Sequence, residues 1–307
     1  MSRLIHSRNG YHRYMQMSRA RAFVFVEGKT NDPYFYGKFC ESVFHPTGII
    51  YQIVRAQELP GGTGGKQSLD NFFLFLRRRK ELISNFKGKT TGTVFFFDKD
   101  VDDLLRKQRR SGHVVYTQHY DIENHLFAEG DLGEAGAAAS SLDGYSMKTG
   151  LGNYENWRRR AAEAWKEWVK LCLFARKKNI NCECTYSLSS RINNPLYGPV
   201  DPTAHAFHLN ILKAGSGLSD QQFSEAFRRV SRLVDELYAR GDHDRVFKGK
   251  WYSSFLDAEI RSIAGARPIN SNGLVNRLIS AIALTVDYNR PWAENFKEPL
   301  RNLSRRL

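Results

Sequence analysis

RAFVFVEGKTND (residues 21–32) sets the reading of the whole chain. Phe23 to Val26 is an unbroken aromatic and β-branched run, the composition of a strand buried on both faces, and it stops at Glu27-Gly28. Pro33, with Tyr36, Phe39, Cys40 and Val43 at three- and four-residue steps, then predicts a helix over 32–44. The same grammar returns at TVFFFDKDVDD (93–103), an apolar strand that ends in acids. Outward from these two, GIIYQIV (48–54) and HVVYTQ (113–118) read as further strands. QSLDNFFLFLRRRKELISNF (67–86) reads as a helix with Leu69, Phe72, Phe73, Leu76 and Ile83 on its apolar face. The charged segment before 113 has a helical look, and YDIENHLF (120–127) begins another helix. Strands alternating with helices imply βαβ crossovers, so the fold class is α/β with a mainly parallel sheet flanked by helices and an α-helical C-terminal region. In such sheets functional groups gather at the carboxyl ends of the strands, where Glu27, Asp98 and Asp100 fall.

From about residue 130 the pattern turns helical, which divides the chain into an α/β catalytic domain over 1–130 and a mainly helical domain over 131–307 for nucleic-acid or partner binding. NYENWRRRAAEAWKEWVKLCLFARKK (153–178) reads as one helix, with Trp157, Ala161, Ala164, Trp165, Trp168, Leu171 and Cys172 on a face. SSRINNPLYGPVDPTAH (189–205) reads as a linker or surface loop. SDQQFSEAFRRVSRLVDELYARG (219–241) carries the serine cap, first-turn acid and final glycine of a complete helix. DAEIRSIAG (257–265) and NGLVNRLISAIALTV (272–286) add two more.

The 46 Lys and Arg outnumber the 32 Asp and Glu, for a net charge of +14. With clusters at 77–80, 106–110, 158–160 and the C-terminus, this balance favours a polyanionic partner, nucleic acid first. No apolar run approaches the roughly 18 residues of a membrane span. The leader lacks the apolar core of a secretory signal, so the expectation is a cytoplasmic protein with no membrane partner. Four cysteines make no disulfide framework, and Cys182-Glu183-Cys184 lacks the second ligand pair of a zinc site, with His205 and His208 alone downstream.

Carboxylates delivered to strand ends suit a hard cation: Mg²⁺ takes oxygen ligands, keeps waters and is held by one or two carboxylates beside a phosphate. Asp98 and Asp100 straddle one strand exit and Glu27 follows another, a set suited to phosphodiester cleavage. His119 and His125 lie beside the acids as candidate proton carriers. PGGTGGKQ (60–67) lacks the glycine spacing and the Ser or Thr after Lys66 that a nucleoside-triphosphate loop needs. It reads instead as a flexible loop whose amides or Lys66 could cradle a phosphate.

VEGKTND, followed some seventy residues on by FFDKD, resembles the TOPRIM domain of topoisomerases, primases and OLD-type nucleases. With YDIENHLF and KGKWYSSFL (248–256), the chain more closely resembles a standalone TOPRIM family of prokaryotic defence proteins, which includes the nuclease component of PARIS-type anti-phage systems. The likeness covers residues 20–130 and, beyond them, only the KGKW stretch. It implies a Mg²⁺- or Mn²⁺-dependent ribonuclease, a hydrolase of phosphodiesters and a toxin of antiviral defence, that cuts host tRNA as a homodimer once released from an ABC- or AAA-type partner ATPase. The alternatives are an OLD-like DNA endonuclease or nickase, a primase-like polymerising activity, and a non-catalytic binding or assembly module. On this reading Glu27, Asp98 and Asp100 are catalytic, and Glu27, Asp98, Asp100 and Glu123 hold the metal. Lys29, Lys66 and Lys99 contact phosphate, while Asp32, Asp102, Asp103 and Asp121 are further ligand candidates. The sequence departs from the OLD pattern at Asn31, where those sequences place an Asp four residues after the Glu; here the acid is Asp32.

Overall fold

The computed structural model describes residues 7–28, 30–61 and 64–307. The fold is α/β and forms two compact units. Unit 1 comprises the chain up to Asp98 together with Gln108–Thr117 and Asp287–Leu307; unit 2 comprises Lys99–Lys107 and Gln118–Val286. The units therefore interleave along the chain instead of meeting at a single cut near residue 130. Among the described residues no helix is long and apolar enough to cross a membrane.

Unit 1 is built on five strands: β1 (Ala22–Val26), β2 (Tyr51–Arg55), β3 (Ile83–Phe86), β4 (Lys89–Phe97) and β5 (Val114–Tyr116). β1 pairs in parallel with β2 and with β4, aligned Val26↔Phe96, while β5 runs parallel to the end of β4 and β3 antiparallel to its start. Period-two alternation sorts the apolar side chains between the two faces. Phe23, Phe25, Phe95 and Phe97 join the cluster of α1 (Arg8–Met17) and α3 (Gly65–Arg78), where Phe25 stacks on Phe95 at 4.6 Å between centroids. Phe96 takes the other face, stacked on Tyr36 of α2 (Asp32–Phe44) at 4.3 Å and near Phe296 of α13 (Glu294–Ser304) at 6.2 Å. Each such buried ring stabilises the unit by about 2 kcal/mol relative to exposure.

Two local readings change. Lys80, at φ 59, ends α3, so Ile83 leaves the expected helical face for β3, opposite Gly92. β3 then turns into β4 through Lys87 and Gly88, both at positive φ, the geometry of a hairpin turn that suits strand twist. The segment after Asp100 is a run of turns and not a helix; Asp103 Oδ1 accepts from Leu104 N–H at 2.8 Å, a local bond that competes with helix.

Unit 2 is helical: α4 (Ile122–Glu129), α5 (Leu132–Ser140), α6 (Gly144–Leu151), α7 (Tyr154–Ala164), α8 (Lys166–Lys178), α9 (Pro202–Ser216), α10 (Asp220–Ala239), α11 (Gly249–Ala264) and α12 (Leu274–Thr285). The single helix expected over 153–178 breaks at Trp165, whose indole N–H donates to Leu196 O at 2.8 Å and draws the backbone out of register. The expected loop over 189–205 gives way to α9 at Pro202, capped by the Asp201 side chain. The serine-capped helix at 219 forms as expected, with Gln222 completing the reciprocal cap.

Candidate functional site

In unit 1, β1 and β4 are neighbours, and each delivers an acid to the same sheet edge. Glu27 follows β1 and Asp98 follows β4; both are half-buried, and one carboxylate oxygen of each lies out of contact with solvent. Gly28 is required by its neighbour: its N–H donates to Asp32 Oδ2 at 2.7 Å, and a Cβ would lie 2.1 Å from Asp32 Oδ1. Asp32 is buried and engaged in holding this turn, which gives the acid a structural task. Lys29 lies outside the described residues, as do Gly62 and Thr63 of the glycine loop. Lys66 is half-buried in the first turn of α3.

In unit 2 the two distant motifs YDIEN and KGKW meet. Asp121 caps α4: its Oδ1 accepts from Asn124 N–H at 3.2 Å while Asn124 Oδ1 accepts from Asp121 N–H at 3.1 Å. The same Oδ1 accepts from Gly249 N–H at 3.2 Å, at the start of α11. Gly249 has no room for a side chain, since a Cβ there would lie 2.3 Å from both Asn124 N and Asp121 Oδ1. Glu123 stands one residue into the helix, 4 % exposed on its side chain, with Oε1 3.8 Å from Lys250 Nζ. Asp121 Oδ2 and Glu123 Oε2 are both buried, and neither has a hydrogen-bond partner. Burial, and then the neighbouring Glu123 charge, push the Asp121 carboxyl well above its ordinary range, against the pull of Lys250 and Lys248.

Behind this pair lies a polar network of buried groups. Asp244 Oδ1 accepts from Asn124 Nδ2 at 2.9 Å and from the Tyr252 hydroxyl at 2.7 Å, and its Oδ2 accepts from Arg158 Nη1 at 2.8 Å. Burial alone would raise the Asp244 pKa, but Arg158 and the Tyr252 hydroxyl help hold it below the usual value. Arg158, read from sequence as part of a basic cluster, is thereby mostly buried and paired, while Arg159 and Arg160 remain exposed. The rings of His119 and His125 lie 4.5 Å apart, and burial lowers the pKa of both, His125 most, so neutral imidazole is the favoured form of each.

The other acids divide. Asp100 is half-buried with its backbone at φ 50, and its N–H donates to Tyr120 O at 2.7 Å. Asp103 pairs with Arg245 at 2.7 Å, and Asp102 is buried in the turn that its carbonyl closes with Lys107 N–H. Lys99 is not displayed for phosphate contact: it is buried, and its ammonium donates to the Gln118 carbonyl. Cys182 and Cys184 sit in a loop, with Cys184 Sγ 3.6 Å from His208 Nδ1. The expected ligands thus fall as Glu27 and Asp98 in unit 1 and Asp100 and Glu123 in unit 2. Sequence reading missed Asn124, Arg158 and Asp244 as site residues. Only the glycine of KGKW signalled that α11 approaches α4.

Among the described residues no group of three or more His, Cys, Asp or Glu side chains is set to hold a metal ion. Asp121 and Glu123 each keep one buried carboxylate oxygen without a hydrogen-bond partner, and oxygen donors of this kind are the ones a hard cation such as Mg²⁺ could use. No family model, no curated protein and no solved structure matches the chain.

Proposed function

We propose that the chain is a divalent-metal-dependent nuclease of TOPRIM type, a toxin effector whose substrate is RNA, with host tRNA favoured. The observation that carries the reading is the Asp121–Glu123 pair, acids almost wholly removed from water with an oxygen apiece that no hydrogen bond satisfies. Such a pair is costly unless something compensates it. Asp121 and Glu123 would hold the ion in unit 2, and Glu27 and Asp98 form a second carboxylate pair at the strand ends of unit 1. Bound Mg²⁺ supplies charge neutralisation at a phosphate and a more acidic water. The protein's own part is to orient the carboxylates: Asn124 and Gly249 fix Asp121, and the α4 N-terminus favours both negative charges. His119 and His125, held neutral, offer proton acceptors. The net charge of +14 supports a nucleic-acid substrate. The homodimer, the ATPase partner and the choice of tRNA rest on the resemblance of the VEGKTND, FFDKD, YDIEN and KGKW motifs alone.

The test is sequencing of RNA ends from cells expressing the wild type, Glu27→Ala or Glu123→Gln, with folding of each variant checked by circular dichroism. Discrete new tRNA ends are expected in the wild type only, at least tenfold above either variant. Ends that persist in both variants, or DNA breaks in their place, overturn the reading. A second reading has its own observation: Asp121 caps a helix and Glu123 faces Lys250, which are structural tasks. A non-catalytic module predicts no cleavage by the wild type and unchanged nucleic-acid binding in Glu123→Gln.

A further inference from the structure

Unit 1 gathers exposed cations where α1, the end of α3 and the turn from β3 to β4 come together. Residues 7–26 hold no Asp or Glu, and residues 71–97 hold Glu81 alone. The Arg13 guanidinium lies 5.1 Å from the centre of the Phe86 ring and Lys87 Nζ 5.7 Å from the same ring, while the Arg79 guanidinium lies 5.4 Å from the Phe75 ring. Arg13 and Arg79 line one open cleft of about 390 Å³ with Asn9, His12, Gln16 and Glu81. Arg13, Arg79 and Lys87 are exposed, and among the described residues none of them is ion-paired with an acid. Glu81 instead faces His12, its Oε2 3.6 Å from Nε2, and Arg13 donates one N–H to Gln16 Oε1 at 3.4 Å. Burial lowers the His12 pKa, and Arg79 and Arg13 lower it further against the pull of Glu81. Phe86 pairs with Lys89 at the start of β4, whose nine residues put this patch about 30 Å from the end of the strand where Asp98 follows.

We infer that this surface is where unit 1 grips the phosphate backbone of an RNA, through Arg13, Arg79 and Lys87. Like charges held this close repel one another, and phosphates set among them replace that repulsion with attraction. The aromatic rings hold the two guanidinium groups in place and leave N–H donors for a ligand, the arrangement in which Arg takes a phosphate. The same contacts argue against base reading, since a guanidinium already covers a face of Phe75 and of Phe86 on which a base would stack. Contact is therefore to phosphates and independent of sequence. The inference rests on the nucleic-acid substrate of the proposed function and not on its metal chemistry. A surface this far from Asp98 anchors a strand without touching the bond that is cut.

The test uses the full chain in EDTA, so that no cleavage occurs. Binding of a labelled tRNA transcript is followed by fluorescence anisotropy over a salt series, for the wild type and for a triple variant, Arg13→Gln, Arg79→Gln and Lys87→Gln. The triple variant should bind at least about tenfold more weakly near 0.1 M salt, and its slope of log K against log salt should be shallower by about 2. Arg79→Gln alone, at one exposed side chain, should already reduce the slope by about 1. A control, Arg191→Gln, Arg228→Gln and Arg232→Gln, removes the same charge from exposed positions of unit 2 and should shift affinity less than about threefold. Unchanged RNA binding by the triple variant, or an equal loss in the control, overturns the proposal. So does poly-glutamate that displaces the RNA as well as unlabelled RNA does, which would assign the surface to an acidic protein, or duplex DNA bound more tightly than the RNA. Weaker binding by the triple variant with no tRNA cleavage by the wild type sinks the nuclease reading alone. Cleavage by the wild type with unchanged binding by the triple variant sinks the surface alone.

Discussion

Replacing Gly249 by alanine should destabilise unit 2 by about 3 kcal/mol, because the added methyl group has nowhere to go. Two of the atoms it meets, Asn124 N and Glu123 C at 2.3 and 2.8 Å, are backbone, and the third, Asp121 Oδ1 at 2.3 Å, already caps α4. A flexible side-chain end could swing away, but a helix N-terminus must move as a body. Displacing it also breaks the Gly249 N–H bond to Asp121 and pulls Asn124 from Asp244. The loss should appear as a fall of several degrees in melting temperature, with the site acids displaced as well. A Gly249→Ala protein that melts with the wild type would show that α11 and α4 do not approach this closely.

Asp244→Ala should cost more, about 3 to 5 kcal/mol, by leaving a buried cation without its counter-charge. The Arg158 side chain is 14 % exposed and that of Asp244 7 %, so water compensates little. Tyr252 and Asn124 lose an acceptor at the same stroke, although Asn124 retains the Phe247 carbonyl at 3.1 Å. The network also fixes a pH dependence. The folded pKa of Asp244 is depressed, so its contribution is fully present above the unfolded value near pH ~4 and lost as pH falls through the folded value. Denaturant titrations of wild type and Asp244→Ala should therefore differ most at neutral pH and converge in acid. A constant difference across that range would mean that the carboxylate is not ionised in its pocket.

How far the amino-acid order carries can be judged at particular residues. The parallel strands and α2 were readable because Phe23 to Val26 and Phe95 to Phe97 are too apolar to face water, and the Asp-Pro start of α2 is a local signal. β3 was hidden: Ile83 continues the period of Leu69 and Leu76, and only the left-handed backbone at Lys80 ends the helix there. The break at Trp165 was hidden for a like reason, since an indole bond to Leu196, 31 residues away, decides it. At the candidate site the local signals pointed to Glu27, Asp98, Asp100 and Glu123, acids that follow strands or open a helix. Asp244 gave no such signal: it lies in a short turn, 120 residues beyond Asn124, and becomes part of the site through burial and the three donors that converge on it. Lys99 looked like a surface cation for the opposite reason, because nothing nearby in sequence reveals the Gln118 carbonyl that accepts its hydrogen bond.

Calorimetric titration of Mn²⁺ into the full chain, and into an Asp121→Asn, Glu123→Gln double variant of unchanged circular dichroism, asks whether the two buried carboxylates exist to hold a cation. The wild type should take up the ion, and the double variant, which keeps the shape of both side chains and removes their charge, should bind at least ~100-fold more weakly. Identical titration of the two proteins, or no uptake by the wild type, would contradict it and leave the pair as a helix cap and a lysine partner.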